Sequence, residues 1–504
     1  MNVSRRWFIG GMASFGAFGG ARLFAADGFR AGGKPNLTFG VVSDIHVGRM
    51  TGDPEKDIVT NTATLKHTFE CFRDAGVYGV IIAGDMADNG ILAQLEVVAA
   101  TWRAVFPNDR APDGRRVEKL FVYGNHDMGG IPYGRGKFKD LPEDELKKRI
   151  ISPDPKAAWE RIFDEPFAPI WKKEVKGYSF VGAHWHERGC RQGDTKQEHG
   201  LLEFYAANAK AFDPKKPFFH IQHPHPKDTI YGAWAWGHDR GLSTQALSAF
   251  PNAVAFSGHS HYPLTDERSV WQGAFTSVGT ASLRYLDYTY NEFMPEGFEN
   301  TTTDWSKDSW RLNAEKLTPR IHAAGQQGML WRVYDDCMVV QRRDYQFDQD
   351  VGPDWVIPLS SAEPRPFAFA EQARKSEAPK FPAGAALKLS RTKAKNRGGK
   401  GGKDRKEEIP AVERPVIRVE IPQVEPNVKA RAYYFEVTAK GGDVTKTKRV
   451  AAKGSPNALG HAETKAPTLC LFAADDFPAD TKVAITVTPL NWFCRKGSPL
   501  TAEV

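Results

Sequence analysis

An α/β layered domain followed by a small all-β sandwich is the architecture this sequence predicts, and three observations carry that expectation. Between residues 37 and about 260, short apolar, β-branched runs alternate with segments of helical periodicity. Each run ends in glycine or a polar residue and then in histidine or carboxylate. Beyond about residue 378 helical periodicity stops, and strand-like runs separated by turn residues take over.

The first run is "LTFGVVSDIH", followed by "YGVIIAGDMAD", "KLFVYGNHD", "PFFHIQHPHP" and "NAVAFSGHSH". Their length and composition fit buried strands. Between them, "TATLKHTFECFRDAG", "ILAQLEVVAATWRAVF" and "LLEFYAANAKAF" carry apolar positions at helical spacing. In sheets built this way, ligands bind beyond the carboxyl ends of the strands, so the five polar clusters should share one rim. Residues 128–180 are rich in Gly, Pro and Lys and read as a surface excursion; 284–325 read as an insertion. "GMLWRVYDDCMVVQRRDY" predicts a strand pair joined at Asp335-Asp336, with a second sheet packed on the first.

The layered domain is expected over 35–360, and a Pro-, Ala- and Lys-rich linker over 361–377. Residues 378–504 then give "AALKLS", "PVIRVEIP", "ARAYYFEVTAK", "TLCLFA" and "TKVAITVTPLNWF", a fibronectin-III-like or immunoglobulin-like sandwich without a catalytic constellation.

Composition agrees with this division. A chain of 504 residues is too long for one ordinary core, and 41% hydrophobic residues supply material for two. The net charge of +7 is partly local: residues 391–408 hold eight basic and three acidic residues. No aromatics are interleaved there, so a solvated basic loop is expected and nucleic-acid binding is not.

At the N-terminus, Arg5 and Arg6 precede a Gly/Ala/Phe-rich stretch from Phe8 to Phe24. The stretch is too short and glycine-diluted for a stable membrane span but suits an export signal over residues 1–26. Ser4-Arg5-Arg6-Trp7-Phe8-Ile9 resembles the twin-arginine motif, which implies the twin-arginine export machinery as partner and a periplasmic or secreted protein. Five cysteines (Cys71, Cys190, Cys337, Cys470 and Cys494) match no zinc spacing, although Cys470 and Cys494 have the option of pairing. None sits in the polar clusters, so nitrogen and oxygen ligands are expected for any metal.

The clusters supply Asp44, His46, Asp85, Asn125, His223, His259 and His261. Imidazole and oxygen donors in this mixture suit Zn, Mn or Fe. Seven ligands exceed the needs of one ion and match two, with a carboxylate such as Asp85 able to bridge them. His259 and His261, two apart in a turn after a strand, can each serve a different ion.

In order, the motifs are Asp44-Ile45-His46, Gly84-Asp85-Met86-Ala87-Asp88, Gly124-Asn125-His126-Asp127, His223 and Gly258-His259-Ser260-His261. This series closely resembles the calcineurin-like metallophosphoesterase family over residues 37–262. The resemblance implies a four-layer α/β/β/α sandwich and two divalent or trivalent metal ions. By it, Asp44, His46, Asp85 and His261 hold one ion, and Asp85, Asn125, His223 and His259 the other. It further implies hydrolysis of small phosphoesters by a metal-bridging hydroxide, with His126 as general acid oriented by Asp127. Asp88 stands where purple acid phosphatases carry tyrosine, so their tyrosinate ligand is not expected; bracing a loop is its expected part.

Candidate substrate contacts are Arg49, just after the first motif, His225, and His184 with His186, which share a strand face. Two other functions stay open at this level: a strict phosphodiesterase acting on cyclic nucleotides or glycerophosphodiesters, and a non-catalytic cell-surface binding protein.

Overall fold

In a computed structural model of the chain, the described residues are 33–504 except 49–61, 130–140, 152, 186–199, 231–238, 240, 288–321, 324, 360–362, 396–398, 401–407, 410–412, 426–432, 453–466, 492 and 494. The expected signal over residues 1–26, Arg49, His186, Cys190, Cys494 and most of the basic loop lie outside the described residues.

The chain begins β1 (Leu37–Val42), α1 (Thr62–Asp74), β2 (Gly79–Ala83), α2 (Leu92–Val105), β3 (Glu118–Val122). It continues through α3 (Asn125–Gly129), α4 (Glu143–Arg149), α5 (Pro155–Phe163), β4 (Ile170–Val175), β5 (Tyr178–Ala183), α6 (Leu201–Asn208) and β6 (Phe218–Ile221). Then come α7 (Leu242–Leu247), β7 (Ala253–Ser257), β8 (Val270–Gln272), β9 (Thr276–Gly279) and the short pair β10 (Leu286–Asp287) and β11 (His322–Ala323). β12 (Gln327–Val333), β13 (Cys337–Asp344), β14 (Gln349–Asp350) and β15 (Trp355–Pro358) complete the domain.

One sheet runs β14-β13-β12-β1-β2-β3 with β15 beside β13, and the other runs β4-β5-β6-β7-β9-β8. Parallel pairing of β1 with β2 and β2 with β3, and of β5, β6, β7 and β9 in turn, points the carboxyl ends the same way within each sheet. The two sheets face each other. Alternation along β1 sends Leu37, Phe39 and Val41 into the space between them. There the Phe39 ring meets Phe180, Phe219 and Phe256 of the opposite sheet at 5.4, 4.9 and 5.9 Å. Phe39→Ala would open a void between the layers at a cost of about 3–5 kcal/mol.

Val42, Val80 and Ile82 point the other way, onto Leu65 and Phe69 of α1, Trp102 of α2 and Trp159 of α5. The outer face of the second sheet is covered by Leu201 and Tyr205 of α6 and Leu247 of α7. The result is the four-layer α/β/β/α sandwich.

Two local expectations change. The hairpin of β12 and β13 does not found the second sheet; it extends the first, antiparallel to β1. Residues 128–180 are more than a surface excursion, because α5 buries Trp159, Ile162 and Phe163, and β4 and β5 open the second sheet. Charged residues in "IWKKEV" hid an edge strand, which needs only one apolar face.

A helix α8 (Phe369–Lys375) occupies the expected linker and is fastened at both ends. Gln372 donates to the Val270 carbonyl at 3.1 Å, while Asn491 donates to Ser376 Oγ at 2.8 Å. Beyond it, β16 (Lys388–Lys395), the pair β17 (Gly399–Lys400) and β18 (Glu408–Ile409), β19 (Glu413–Ile421), β20 (Tyr433–Gly441), β21 (Val444–Ala451), β22 (Thr468–Ala473), β23 (Ala484–Asn491) and β24 (Leu500–Glu503) follow. They form antiparallel sheets β16-β19-β22 and β21-β20-β23-β24. Val419, Phe435, Val437, Phe472 and Ile485 share one core between these sheets. Among the described residues, no helix is long and apolar enough to cross a membrane.

Candidate metal centre

At the carboxyl ends of β1 and β2 the ladder continues between loops: Asp44 N–H donates to Gly84 O and His46 N–H to Asp85 O, both at 3.0 Å. Asp44, His46, Asp85, His259 and His261 all adopt left-handed backbone conformations, with φ between 46° and 72°. Such conformations cost about 1–3 kcal/mol each and persist where surrounding structure enforces them. Here the strain turns five side chains toward one point. Two glycines make the close approach possible. A Cβ on Gly124 would stand 2.1 Å from Asp85 Oδ1, and one on Gly258 would stand 2.3 Å from Asp44 Oδ2.

The first group is Asp44, His46 and His261, all buried. Carboxylate and carbonyl oxygens only accept hydrogen bonds, so the ring nitrogens facing them carry the protons. His46 therefore donates from Nδ1 to Asp88 Oδ1 at 3.1 Å, and His261 from Nδ1 to the Tyr285 carbonyl at 3.2 Å. Both Nε2 atoms point inward, 3.1 Å apart, with Asp44 Oδ1 3.1 Å from that of His261. Two imidazole nitrogens and a carboxylate converging in a buried space call for positive charge, which a metal ion supplies in place of the ring protons. Two imidazoles on one zinc ion stand about 3.3 Å apart, so the spacing fits. Asp44 is held in place by Ser43 Oγ at 2.5 Å and by the His259 N–H at 3.0 Å.

The second group is Asp85, His223 and His259. His223 donates from Nδ1 to the Ala83 carbonyl at 2.8 Å, and its Nε2 stands 3.1 Å from Asp85 Oδ2 and 3.2 Å from His259 Nδ1. Asp85 Oδ2 is also 3.7 Å from His46 Nε2, so one carboxylate oxygen faces both groups. Asn125 opens α3 at the same rim, directly after Gly124.

The electrostatics call for positive charge. Burial opposes protonation of His46, yet hydrogen bonds with Asp44 and Asp88 and the charge of Asp85 raise it to about 10. Burial likewise opposes protonation of His223, but the Asp85 charge raises it to about 9. Against burial, His261 holds Asp44 well below the usual carboxylate range. The donor set thus fits a pair of hard-to-borderline cations without thiolate ligands.

His126 sits beside the first group, its ring 4.6 Å from that of His46 and perpendicular to it. Its N–H donates to Asp85 Oδ1 at 2.8 Å, and its Nδ1 donates to the Asp88 carbonyl at 2.8 Å. Burial, partly offset by the charge of Asp85, pushes its pKa down. The expected role of Asp127 is corrected here. Its carboxylate accepts from the Gly124, Ala87 and Met86 amides at 2.7, 2.7 and 3.3 Å, so it ties two loops together. The Asp88 carbonyl, not Asp127, orients the His126 ring.

Two candidate substrate contacts are buried. His184 is fully buried, its Nδ1 accepting from the Tyr123 N–H at 3.1 Å and its ring packed on Trp159 and Phe167. His225 is buried with Nδ1 2.7 Å from Ser257 Oγ, and burial lowers its pKa to about 3. His184 braces the scaffold behind the rim, whereas His225 lies close enough to Asp44 and His223 to feel their charges. Sequence reasoning passed over Trp185, whose ring lies 6.4 Å from those of His223 and His259, and Tyr285, 4.3 Å from His261. A lone aromatic in a loop carries no spacing signal, so neither was legible.

Two facing sheets with a buried carboxylate–imidazole cluster at their common rim define a metal-dependent hydrolase. Residues 37–263 match the family model of the calcineurin-like phosphoesterases. Among curated proteins none matches the chain. Among solved structures, a dimetal phosphatase from Danio rerio is 13% identical with a TM-score of 0.37, the match covering 65% of this chain and all of that one. A purple acid phosphatase from yellow lupin (Lupinus luteus) is also 13% identical with a TM-score of 0.39, covering 64% of this chain and 55% of that one. At these values they are likenesses only, and none of the chemistry rests on them.

Proposed function

We propose that the chain is an exported dinuclear phosphoesterase that hydrolyses small phosphoric esters. The observation that carries this reading is Asp85 Oδ2, placed 3.1 Å from His223 Nε2 and 3.7 Å from His46 Nε2. A single oxygen facing both ligand groups is what a shared carboxylate between two cations requires. Asp44, His46, Asp85 and His261 hold one ion in this reading, and Asp85, Asn125, His223 and His259 the other. Two such ions supply an activated water as nucleophile and Lewis acidity toward the attacking and leaving oxygens.

The chain's own residues do the rest. Asp88 and the Tyr285 carbonyl keep the Nδ1 protons of His46 and His261 away from the ions. His126, held by the Asp88 carbonyl at Nδ1, turns Nε2 as the atom from which a proton passes to the departing alkoxide. Trp185 and Tyr285 give the rim aromatic surface for an organic leaving group. Arg5 and Arg6 support export by the twin-arginine route to the periplasm or beyond, and the C-terminal strand order supports a fibronectin-III-like module.

The deciding assay compares aryl phosphate monoesters with diesters, with and without Mn, Fe or Zn. Metal-dependent turnover of at least one class supports the reading, and its range distinguishes a general phosphoesterase from a strict diesterase. No turnover by the metal-loaded protein on either class would contradict it.

A further inference from the structure

Away from the rim, a second set of metal-capable side chains meets at the outer side of α1. His67 and Cys71 are one helical turn apart, and Asp348 reaches them from the turn between β13 and β14. Residues four apart on a helix share a face, so the imidazole and the sulfur point the same way. His67 Nε2 lies 3.7 Å from Cys71 Sγ and 3.4 Å from Asp348 Oδ1.

Those distances decide the matter. Zinc bonds of about 2.0–2.1 Å to nitrogen, 2.3 Å to sulfur and 2.0–2.2 Å to oxygen at tetrahedral angles separate N from S by about 3.6 Å and N from O by about 3.4 Å. The His67–Cys71 and His67–Asp348 separations match those two values. Asp348 is also held in place, because Arg343 donates to the same oxygen, Oδ1, and, at 3.3 Å, to its carbonyl. Hydrogen-bonded carboxylates of this kind orient ligands and tune metal sites. As an ordinary exposed ion pair, His67 with Asp348 would contribute little and give the sulfur no role.

We propose that His67, Cys71 and Asp348 form a separate mononuclear site for a borderline divalent ion such as Zn²⁺, with its fourth position open to solvent. His67 and Asp348 side chains are 42% and 62% exposed, so an ion has direct access. This departs from the expectation that metal ligands in this chain are nitrogen and oxygen alone. The site is independent of the phosphoesterase reading, since it shares no residue with the rim.

Cobalt(II) separates the two centres in the full-length protein, because only a thiolate ligand gives a sulfur-to-cobalt charge-transfer band in the near ultraviolet. Titration of the metal-stripped wild type should produce that band, saturating at one thiolate-bound ion per chain. Cys71→Ser should abolish it, and His67→Gln and Asp348→Asn should each weaken cobalt binding by about 10-fold or more. All three variants should retain phosphoesterase activity when loaded at the rim, which also shows that they fold. The absence of the band in wild type while visible cobalt absorption from the rim fills would overturn the site. So would a band that survives Cys71→Ser, or one indifferent to His67→Gln and Asp348→Asn.

Discussion

His46 Nε2 and His261 Nε2 face each other at 3.1 Å, while Nδ1 of each ring faces an acceptor on the far side, Asp88 and the Tyr285 carbonyl respectively. This arrangement makes a cation part of the fold's chemistry at that point. It also gives Asp88 a definite task, that of fixing the His46 tautomer.

Asp88→Ala removes the acceptor of the His46 proton and frees the ring to turn. Loss of a partner of this kind costs typically ~10–100-fold in metal affinity. Metal titration should therefore show one weakened ion and one bound as in wild type. Equal weakening of both would mean that Asp88 supports the whole rim rather than His46.

His126 and Asp127 separate by their kinetics. His126→Ala should retain both metals and lose ~10²–10⁴-fold on alkyl phosphates, with a much smaller loss on nitrophenyl esters, whose leaving group needs little protonation. Asp127→Asn places an NH₂ group where three amides converge, so it should lower stability by about 1–3 kcal/mol. Its losses on alkyl and aryl esters should be equal. Leaving-group selectivity in Asp127→Asn would restore its direct role in orienting the acid.

The fold was largely legible because strand runs and amphipathic helices differ in period, as β1 and α1 show. Candidate ligands were legible because Asp44, His46, Asp85, His259 and His261 closely follow strands. Side-chain direction was not legible. His184 ends β5 as a ligand would, yet it turns into Trp159 and Phe167, while its neighbour Trp185 approaches the ligand rings. Asp127 was misread for a related reason: its neighbour His126 is adjacent in sequence, whereas its partners Met86 and Ala87 lie on another loop.

Acid should destabilise the protein partly through His220. The residue is fully buried between Tyr205 Oη at 2.8 Å and Gln222 Oε1 at 2.9 Å, and burial, partly offset by Gln222, lowers its pKa to about 4. Its folded pKa lies below the unfolded value, so the unfolded state takes up a proton first. The associated stability is complete above about pH 6.5 and falls until about pH 4, by about 3 kcal/mol. Denaturant unfolding at pH 7 and 4.5 should show a smaller difference in His220→Gln than in wild type. An unchanged difference would clear His220 of this effect.

The sandwich should be dispensable for small substrates. It is tied to α8 through Asn491 and Ser376, and α8 to β8 through Gln372 and Val270, so the connection runs to an edge strand of the second sheet. A chain ending at Lys375 should keep its rate on aryl phosphates within about twofold, an estimate resting on the independence of domain cores. A folded truncation with a large loss would show that the sandwich completes the site.

Replacing Asp85 tests the central claim most directly, since its Oδ2 faces both ligand groups. The measurement is metal content per chain together with turnover of an aryl phosphate, in wild type and Asp85→Ala. The account predicts about two divalent ions and metal-dependent activity in wild type, with both ions and activity lost together in the variant. Full activity in metal-free wild type, or an Asp85→Ala protein that keeps two ions and full turnover, would contradict it.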